Sequence, residues 1–319
     1  MVQIFLIGLI AGLVAALMCA SIVTKTLISI FLFYLAPLPI LIAALGWSHW
    51  AGLLAAVVAS LALAEEFGIY LFASFLLSIG LPAWWFGYLA LLARPVANAT
   101  AGALEWYPIG RLVVWIAIVS ALIVVAGMLS VATSEDMLRE KARESVEEYL
   151  SRSDPSLDPQ VLQQAGRRFE TLLPVALPGV AVFITMINLA LVWLAGQIVK
   201  MSNRLRRPWP DLAGMAFPAW TSALLAAACA GILLTGLPGI TSSVFAASLA
   251  TIYGVLGFAV LHVITRGLNN RGLLLASAYV AVAMLWPFLL FVALLGLADA
   301  TFDIRGRFAH RTGPPTIPT

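Results

Sequence analysis

The chain has 319 residues, of which 62% are apolar and only 10% charged, with a mean hydropathy of +1.01 and a net charge of +3. Soluble domains carry about 25% charged residues and roughly 45–50% apolar ones, so this composition excludes a water-soluble fold. The basic residues lie between apolar runs, where membrane orientation explains them, and nucleic acid is not an expected partner. Cys19 and Cys229 lie inside apolar runs, without metal-ligand spacing or a disulfide framework.

Apolar runs long enough to cross a membrane recur along the chain. A helix needs roughly 20 residues to cross about 30 Å of hydrocarbon, and open backbone cannot face lipid. We therefore predict an all-α polytopic transmembrane helix bundle over residues 1–304, with eight or nine spans. The candidate runs are 4–24, 27–45, 47–64, 67–93, 109–132, 174–199, 213–235, 240–265 and 272–297.

The first run carries a small residue at every fourth position, namely Gly8, Gly12, Ala16 and Ala20. This spacing aligns the four residues on one helix face and lets a second helix approach to backbone contact. The ladder predicts tight packing within the protein or, alternatively, a docking face for a separate membrane subunit. The third run repeats the same spacing from Gly52 onwards.

Two carboxylates, Glu65 and Glu66, directly follow the third run, which is the shortest of the apolar runs. Ionisable side chains close to hydrocarbon are costly and are functional candidates by default. This pair could bind a cation or a substrate amine, or transfer protons. Alternatively, it is an ordinary pair of charges at a helix end, where charges normally lie.

Residues 133–173 form a long polar segment between the fifth and sixth apolar runs. Apolar side chains recur at helical spacing in 138–150 and in 161–169, and the sequence SDPSLDP between these stretches predicts a turn. We therefore predict a small extramembrane insertion, a hairpin of two amphipathic helices. It serves either as a lid or brace on the membrane surface or as a docking site for a partner.

The sixth run begins with Pro174 and Pro178 and carries Asn188 near its middle. The prolines predict bent first turns with free backbone groups, and many transporters build a binding site in that way. Bent helices are also common in membrane proteins that transport nothing. Asn188 can hydrogen-bond across helices and is a candidate ligand-binding residue.

The loop KMSNRLRRPWPD, residues 200–211, contains the basic residues Lys200, Arg204, Arg206 and Arg207. Lys and Arg in short loops are retained on the cytoplasmic side, so these four residues set the predicted topology. Counting six spans back from this loop predicts that the N-terminus is cytoplasmic too. Tryptophans near span ends, such as Trp47, are expected at the membrane interface.

His262 and Arg266 are four residues apart near the end of the eighth run and share a helix face. They could receive an anionic group, or pair with Asp299 or Asp303 on the following helix. Alternatively, Arg266 anchors the helix end at the interface and His262 is a packing residue. The Pro-, Gly- and Thr-rich segment 305–319 is predicted to be a disordered tail.

Three segments of the second half resemble the YybS-like family of uncharacterised bacterial membrane proteins, in its alphaproteobacterial form. They are LLPVALPGVAVFITMINLALVWLAGQIVK at 172–200, RRPWPDLAGMAFPAW at 206–220 and RGLNNRGLLLASAYVAVAMLWPFLLFVALLGLADATFDIRGR at 266–307. That family is distantly similar to the substrate-binding subunits of energy-coupling-factor transporters, which meet their coupling protein through a small-residue ladder in the first helix. The resemblance implies the same role for the ladder that starts at Gly8.

No catalytic motif, phosphate-binding loop or metal-ligand cluster is legible, so we expect no enzymatic activity, no cofactor and no metal. The first functional hypothesis is a solute-binding or transport-associated subunit of the bacterial inner membrane, which needs a separate energising partner. Its expected partners are the lipid bilayer, a membrane coupling subunit and a small-molecule solute. The alternative is a membrane scaffold or assembly factor, with client proteins bound to the hairpin and loops.

Overall fold

The computed structural model describes residues 1–96, 104–212, 214–284 and 287–311. Contacts divide the chain into two compact units, where the sequence predicts one bundle over 1–304. The first unit comprises Met1–Val119 and Met186–Asp211, and the second comprises Ser120–Thr185 and Leu212–Thr319. Two long helices contribute one part to each unit.

The first unit contains eight helices or helix parts, a 3-10 turn, a π turn and a short two-stranded ribbon within the described residues. These elements are α1 (Val2–Ala20), the 3-10 turn Ser21–Thr24, α2 (Leu27–Leu35), α3 (Pro37–Gly46), α4 (His49–Phe67), α5 (Ile69–Phe75), the π turn Leu76–Gly80, α6 (Leu81–Leu91), β1 (Ala93–Pro95), β2 (Leu104–Trp106) and the first part of α7 (Ile109–Val131). The last part of α9 (Pro159–Met201) completes the unit. The strands pair antiparallel, with Arg94 opposite Glu105.

Helix α4 lies at the centre of the first unit, although its run is the shortest of the predicted spans. A Cβ atom on Gly8 would lie 3.0 Å from the Ala51 carbonyl oxygen, and one on Gly12 would lie 2.6 Å from that of Ala55. The small-residue ladder of α1 is therefore covered by α4. Because Gly8 and Gly12 meet successive turns of α4, the two helices run parallel and their N-termini share one end of the unit.

The second unit contains the remaining elements in the described residues. They are the second part of α7, α8 (Glu135–Ser153), the first part of α9, α10 (Trp220–Gly231), α11 (Leu237–Ile264), α12 (Arg271–Met284), α13 (Phe288–Phe302) and α14 (Ile304–Arg311). Leu138 of α8 is buried in an apolar cluster with Leu173 of α9 and Ile240 and Val244 of α11. This cluster fastens the predicted hairpin to the rest of the unit.

The hairpin is present, but its second helix and the sixth span are one continuous helix. Helix α9 has 43 residues and contains Pro174 and Pro178 in its interior. The predicted bend at these prolines does not divide the helix. At about 1.5 Å per residue the helix is about 64 Å long, roughly twice the hydrocarbon thickness, so its first part extends beyond the membrane.

Seven helical segments in the described residues are long and apolar enough to cross a membrane, and three further apolar helices are shorter. The predicted run 213–235 contains only α10, with 12 residues, and the run 272–297 is divided between α12 and α13. Pro218 lies in the non-helical segment before α10, and Pro287 is the N-cap of α13; both positions tolerate proline because the N–H there has no partner within the helix. The all-α fold is confirmed.

The tail was predicted to be disordered from residue 305, but α14 covers Ile304–Arg311. Asp303 ends α13 in the left-handed conformation, with φ of 49°, and reverses the chain into α14. Its carboxylate accepts a hydrogen bond from the Gly306 backbone N–H at 3.2 Å, which is an N-terminal cap for the new helix. Residues 312–319 of the predicted tail lie outside the described residues.

Candidate functional site

A buried ion pair joins the end of α13 to α14 in the second unit. Both Nε and Nη2 of Arg305 contact Oδ2 of Asp299, at 2.8 and 2.7 Å. The Arg305 backbone N–H donates to Oδ1 of Asp299 at 2.9 Å. The two side chains are only 14% and 2% exposed, and Asp299 is the one buried charged residue in the described parts of the chain.

Glycines bring helices α11 and α13 into backbone contact beside this ion pair. A Cβ on Gly257 of α11 would overlap the carbonyl oxygen of Val292, and one on Gly296 of α13 would overlap that of Tyr253. Only glycine permits so close an approach at these positions. Asp299 lies one turn beyond Gly296, so this contact determines where its carboxylate lies.

A segment without helix or strand completes the site. Arg305 donates from Nη2 to the Met215 carbonyl oxygen at 2.7 Å, and the Phe217 ring packs edge-on against Tyr253 at 5.3 Å between centroids. Tyr253 lies near the middle of α11, so the chain is non-helical beside the interior of this helix. Non-helical backbone at membrane depth is tolerated only where protein or a cavity covers it.

Two helices of the unit that holds the ion pair, α10 and α13, are short. Helix α10 is about 18 Å long and α13, with 15 residues, is about 23 Å long, and both are shorter than the hydrocarbon. The site therefore combines helix ends, non-helical backbone and an ion pair. Either member of such a pair can exchange its partner for a charged group of a solute, an ammonium at Asp299 or a carboxylate at Arg305.

The predicted pairing of His262 or Arg266 with Asp299 is wrong, because Arg305 occupies that carboxylate. The Nδ1 atom of His262 lies 2.9 Å from the Phe258 carbonyl oxygen, one turn earlier in α11, and the ring packs edge-on against Tyr279 at 6.0 Å. Arg266 is exposed beyond the end of the helix. His262 is thus held as a packing residue, while Arg266 is exposed at the surface of the second unit.

The other candidate ligand-binding residues, Glu65, Glu66 and Asn188, fall in the first unit. The two glutamates are exposed in the last turn of α4, before Gly68, whose φ is 87°. Asn188 is half-buried in α9 and has an interaction partner. Since α4 has 19 residues, the glutamates lie about 25 Å from its N-terminal end.

The basic loop 200–211 folds against the N-terminal end of α4 through aromatic rings and carbonyl oxygens. Lys200 Nζ lies 4.7 Å from the centre of the Trp209 ring, and the Arg204 guanidinium lies 4.6 Å from that of Trp47. Arg206 donates to the Trp47 carbonyl oxygen at 3.2 Å. Arg207 donates to that of Ala90 at 3.3 Å, and partial burial lowers the pKa of its guanidinium.

These contacts bring the start of α4, the end of α6 and the end of α9 together at one end of the first unit, here called the basic end. Arg94 and Arg111 lie at this end too, lining a cavity of about 410 Å³ beside the ribbon. All but one of the Lys and Arg residues of the first unit are therefore at the basic end. The exception, Lys25, lies with the C-terminal ends of α1 and α4.

Sequence reasoning missed two residues of these sites. Arg305 was placed in a disordered tail, although a carboxylate at position 299 inside an apolar run requires a nearby cation, and Arg305 is six residues on. Trp47 was interpreted only as an interfacial residue, because it lies far from the basic loop in the sequence and its contact with Arg204 could not be predicted. No group of three His, Cys, Asp or Glu residues that could hold a metal occurs within the described ranges.

Within the ranges that the structure describes, seven helical segments of spanning length and high hydropathy define a multi-pass membrane protein. Residues 12–300 match the family described as "Predicted membrane protein (DUF2232)". Because the match covers most of the chain, the protein belongs to this family of membrane proteins of unknown function. No curated protein and no solved structure matches the chain.

Proposed function

We propose that this protein is a solute-binding or transport-associated membrane subunit that requires a separate energising partner. The observation that carries the proposal is the buried Asp299–Arg305 pair beside the non-helical segment at Met215. Charges in the interior of a membrane protein are costly and commonly mark substrate or ion pathways. Short helices that end next to such charges are how many secondary transporters form a binding site.

Stability alone is a poor explanation for this pair. Desolvating two charges costs several kcal/mol per ion, and well-packed apolar residues of similar volume are often neutral or stabilising by about 1–4 kcal/mol in their place. The pair lies among apolar helices that supply such packing throughout. A function that needs one of the two charges accounts for both of them, since the second neutralises the first when no solute is bound.

The sequence has no phosphate-binding loop, so the chain is not expected to hydrolyse ATP itself, and ATP-driven transport would need a separate partner. The resemblance to YybS-like proteins, and through them to energy-coupling-factor substrate-binding subunits, favours an ATPase-driven partner. The ladder that starts at Gly8 is covered by α4. A coupling subunit would therefore use another surface, unlike the arrangement that the resemblance implies.

The charge distribution of the first unit favours a cytoplasmic location for the basic end, and with it the N-terminus, in a bacterial inner membrane. This end carries six Lys and Arg residues, and the opposite end has Lys25 alone. The excess of positive residues in short loops is the feature that sets orientation during insertion. In this orientation the α8–α9 hairpin lies outside the cytoplasm.

A mild-detergent purification of the tagged full chain from native cells tests the need for a partner. We expect a membrane coupling subunit and its ATPases to be recovered with the chain and identified by mass spectrometry. Recovery of envelope or biogenesis proteins, with no ATPase, would contradict the transport proposal. An unrelated multi-pass protein with the same tag, purified in parallel, controls for non-specific recovery.

The second candidate function is a scaffold or assembly factor. It is favoured by the hairpin, because the first part of α9 extends beyond the membrane and Tyr149 of α8 is 71% exposed on its surface. Deleting the extramembrane residues of the hairpin while leaving the span intact tests this function. A scaffold loses its client proteins on this deletion, whereas a solute-binding subunit keeps its solute.

A further inference from the structure

The basic loop has a feature that membrane orientation does not explain. Orientation requires only that Lys and Arg be present in the loop, whereas here two arginines converge on one tryptophan. The Arg204 guanidinium lies 4.6 Å from the centre of the Trp47 ring, while Arg206 donates to the carbonyl oxygen of the same residue at 3.2 Å. We propose that Arg204 and Arg206 bind a phosphate group beside Trp47.

The end of α9 positions these arginines. Asn203 has a φ of 55°, and the Arg204 N–H donates to the Val199 carbonyl oxygen at 3.1 Å. A left-handed residue followed by a bond back to the last turn is a Schellman motif, which closes the helix and reverses the chain. The reversal brings Arg204 back over α9 and against the turn between α3 and α4, where Trp47 lies.

The cations of this loop have neutral partners. In the part of the chain that the structure describes, none of Lys200, Arg204, Arg206 and Arg207 makes an ion pair, and their contacts are with ring faces and carbonyl oxygens. Like charges held together in this way repel each other, and an anion between them relieves the repulsion. The indole N–H of Trp47 also has no partner among the described residues and is buried.

The geometry favours phosphate over other anions. A guanidinium presents a planar fork of donors that matches the oxygens of a phosphate, and stacking on an aromatic ring orients that fork. The tryptophan belt is characteristic of the level of the lipid headgroups. The phosphate can belong to an anionic phospholipid or to a free phosphorylated solute, and both present the same group to the arginines.

The test uses the purified full chain in a non-ionic detergent, with retained adducts measured by native mass spectrometry. The probes are phosphatidylglycerol, phosphatidylcholine and inorganic phosphate. At about 1 kcal/mol for each charge, the Arg204→Gln, Arg206→Gln double variant is expected to retain phosphatidylglycerol about 30-fold more weakly. Arg167→Gln, Arg168→Gln is the matched control, because it removes the same charge from the exposed surface of α9.

Three outcomes separate the possibilities. Phosphatidylglycerol binding that inorganic phosphate does not displace, and that only the Arg204 and Arg206 variant loses, supports a lipid headgroup. Displacement by millimolar inorganic phosphate, with the same loss in the variant, supports a free phosphorylated solute. Equal binding by the two double variants, or no preference for phosphatidylglycerol over phosphatidylcholine, overturns the proposal.

Two further variants keep the test independent of folding. Arg204→Gln alone removes only a ring contact and is expected to weaken phosphatidylglycerol binding about fivefold, the effect of one charge near the surface. The double variant Arg204→Lys, Arg206→Lys keeps the charge and loses the planar fork. We expect this variant to bind phosphatidylglycerol at least threefold more weakly than the wild type does. If the two proteins bound it equally, the binding would be simple attraction to a basic surface.

Discussion

Replacing Arg305 with methionine tests whether the ion pair is as tightly coupled as its geometry indicates. The change removes both contacts to Asp299 and the hydrogen bond to the Met215 carbonyl oxygen, and it leaves a carboxylate that is 2% exposed without its cation. Removing one partner of a buried pair costs about 3–5 kcal/mol. We expect a loss of that size in the free energy of unfolding of Arg305→Met.

A double-mutant cycle, in which Asp299 is also replaced, isolates the interaction between the Asp299 and Arg305 side chains. Asp299→Asn is expected to cost about 2 kcal/mol, because the Arg305 side chain is less buried and an amide oxygen still accepts a hydrogen bond. The double variant should lose at least 2 kcal/mol less than the sum of the two single variants. Unfolding by sodium dodecyl sulfate in mixed micelles, followed by tryptophan fluorescence, provides the measurement.

Arg307→Met is the matched control, since Arg307 lies in the same helix, α14, and is exposed. A surface substitution of this kind is expected to change the unfolding free energy by less than about 0.5 kcal/mol. If Arg305→Met were as stable as Arg307→Met, the reasoning about a coupled buried pair would be refuted.

Three further predictions concern packing and orientation. Gly257→Ala is expected to destabilise the protein by about 1–3 kcal/mol, because its Cβ would overlap the backbone of Val292, while Gly179→Ala, which meets open space, should be neutral or slightly stabilising in the same unfolding assay. Leu138→Ala should cost about 2–5 kcal/mol and increase proteolysis of the hairpin; an unchanged digestion pattern would argue against the cluster that fastens it. In a cysteine-free background, an impermeant maleimide applied to spheroplasts should label Glu66→Cys and leave Ser202→Cys unlabelled until the membrane is opened, and the reverse pattern would invert the proposed orientation.

Much of the fold could be predicted from the sequence, because span length and hydropathy are set by the bilayer. The first six apolar runs correspond to helices, and the packing interpretation of the ladder at Gly8 agrees with its contact with α4. The hairpin was predictable from its helical spacing and its turn. Prolines were the less reliable signal: Pro174 and Pro178 lie inside a continuous helix, while Pro287 is the N-cap of α13.

The candidate site was harder to predict, because charge pairing depends on where a chain reverses. The pairing of Asp299 with Arg305 requires Asp303 to adopt a left-handed conformation and reverse the chain. The Pro- and Gly-rich composition after residue 304 predicted a disordered tail and gave no sign of this reversal. The contact of Arg204 with Trp47 joins residues that are more than 150 positions apart, and no local pattern predicts it. Periodicity finds helices but gives little information about which polar groups of different elements meet.

Retention of a small molecule by the purified protein tests the central proposal most directly. The wild-type chain and the Asp299→Asn and Arg307→Met variants would be purified from native cells in mild detergent, and their bound small molecules compared by mass spectrometry. We predict a charged solute that the wild type and Arg307→Met retain and that folded Asp299→Asn loses. Identical small-molecule profiles for all three proteins, with Asp299→Asn folded, would contradict a solute site at the ion pair.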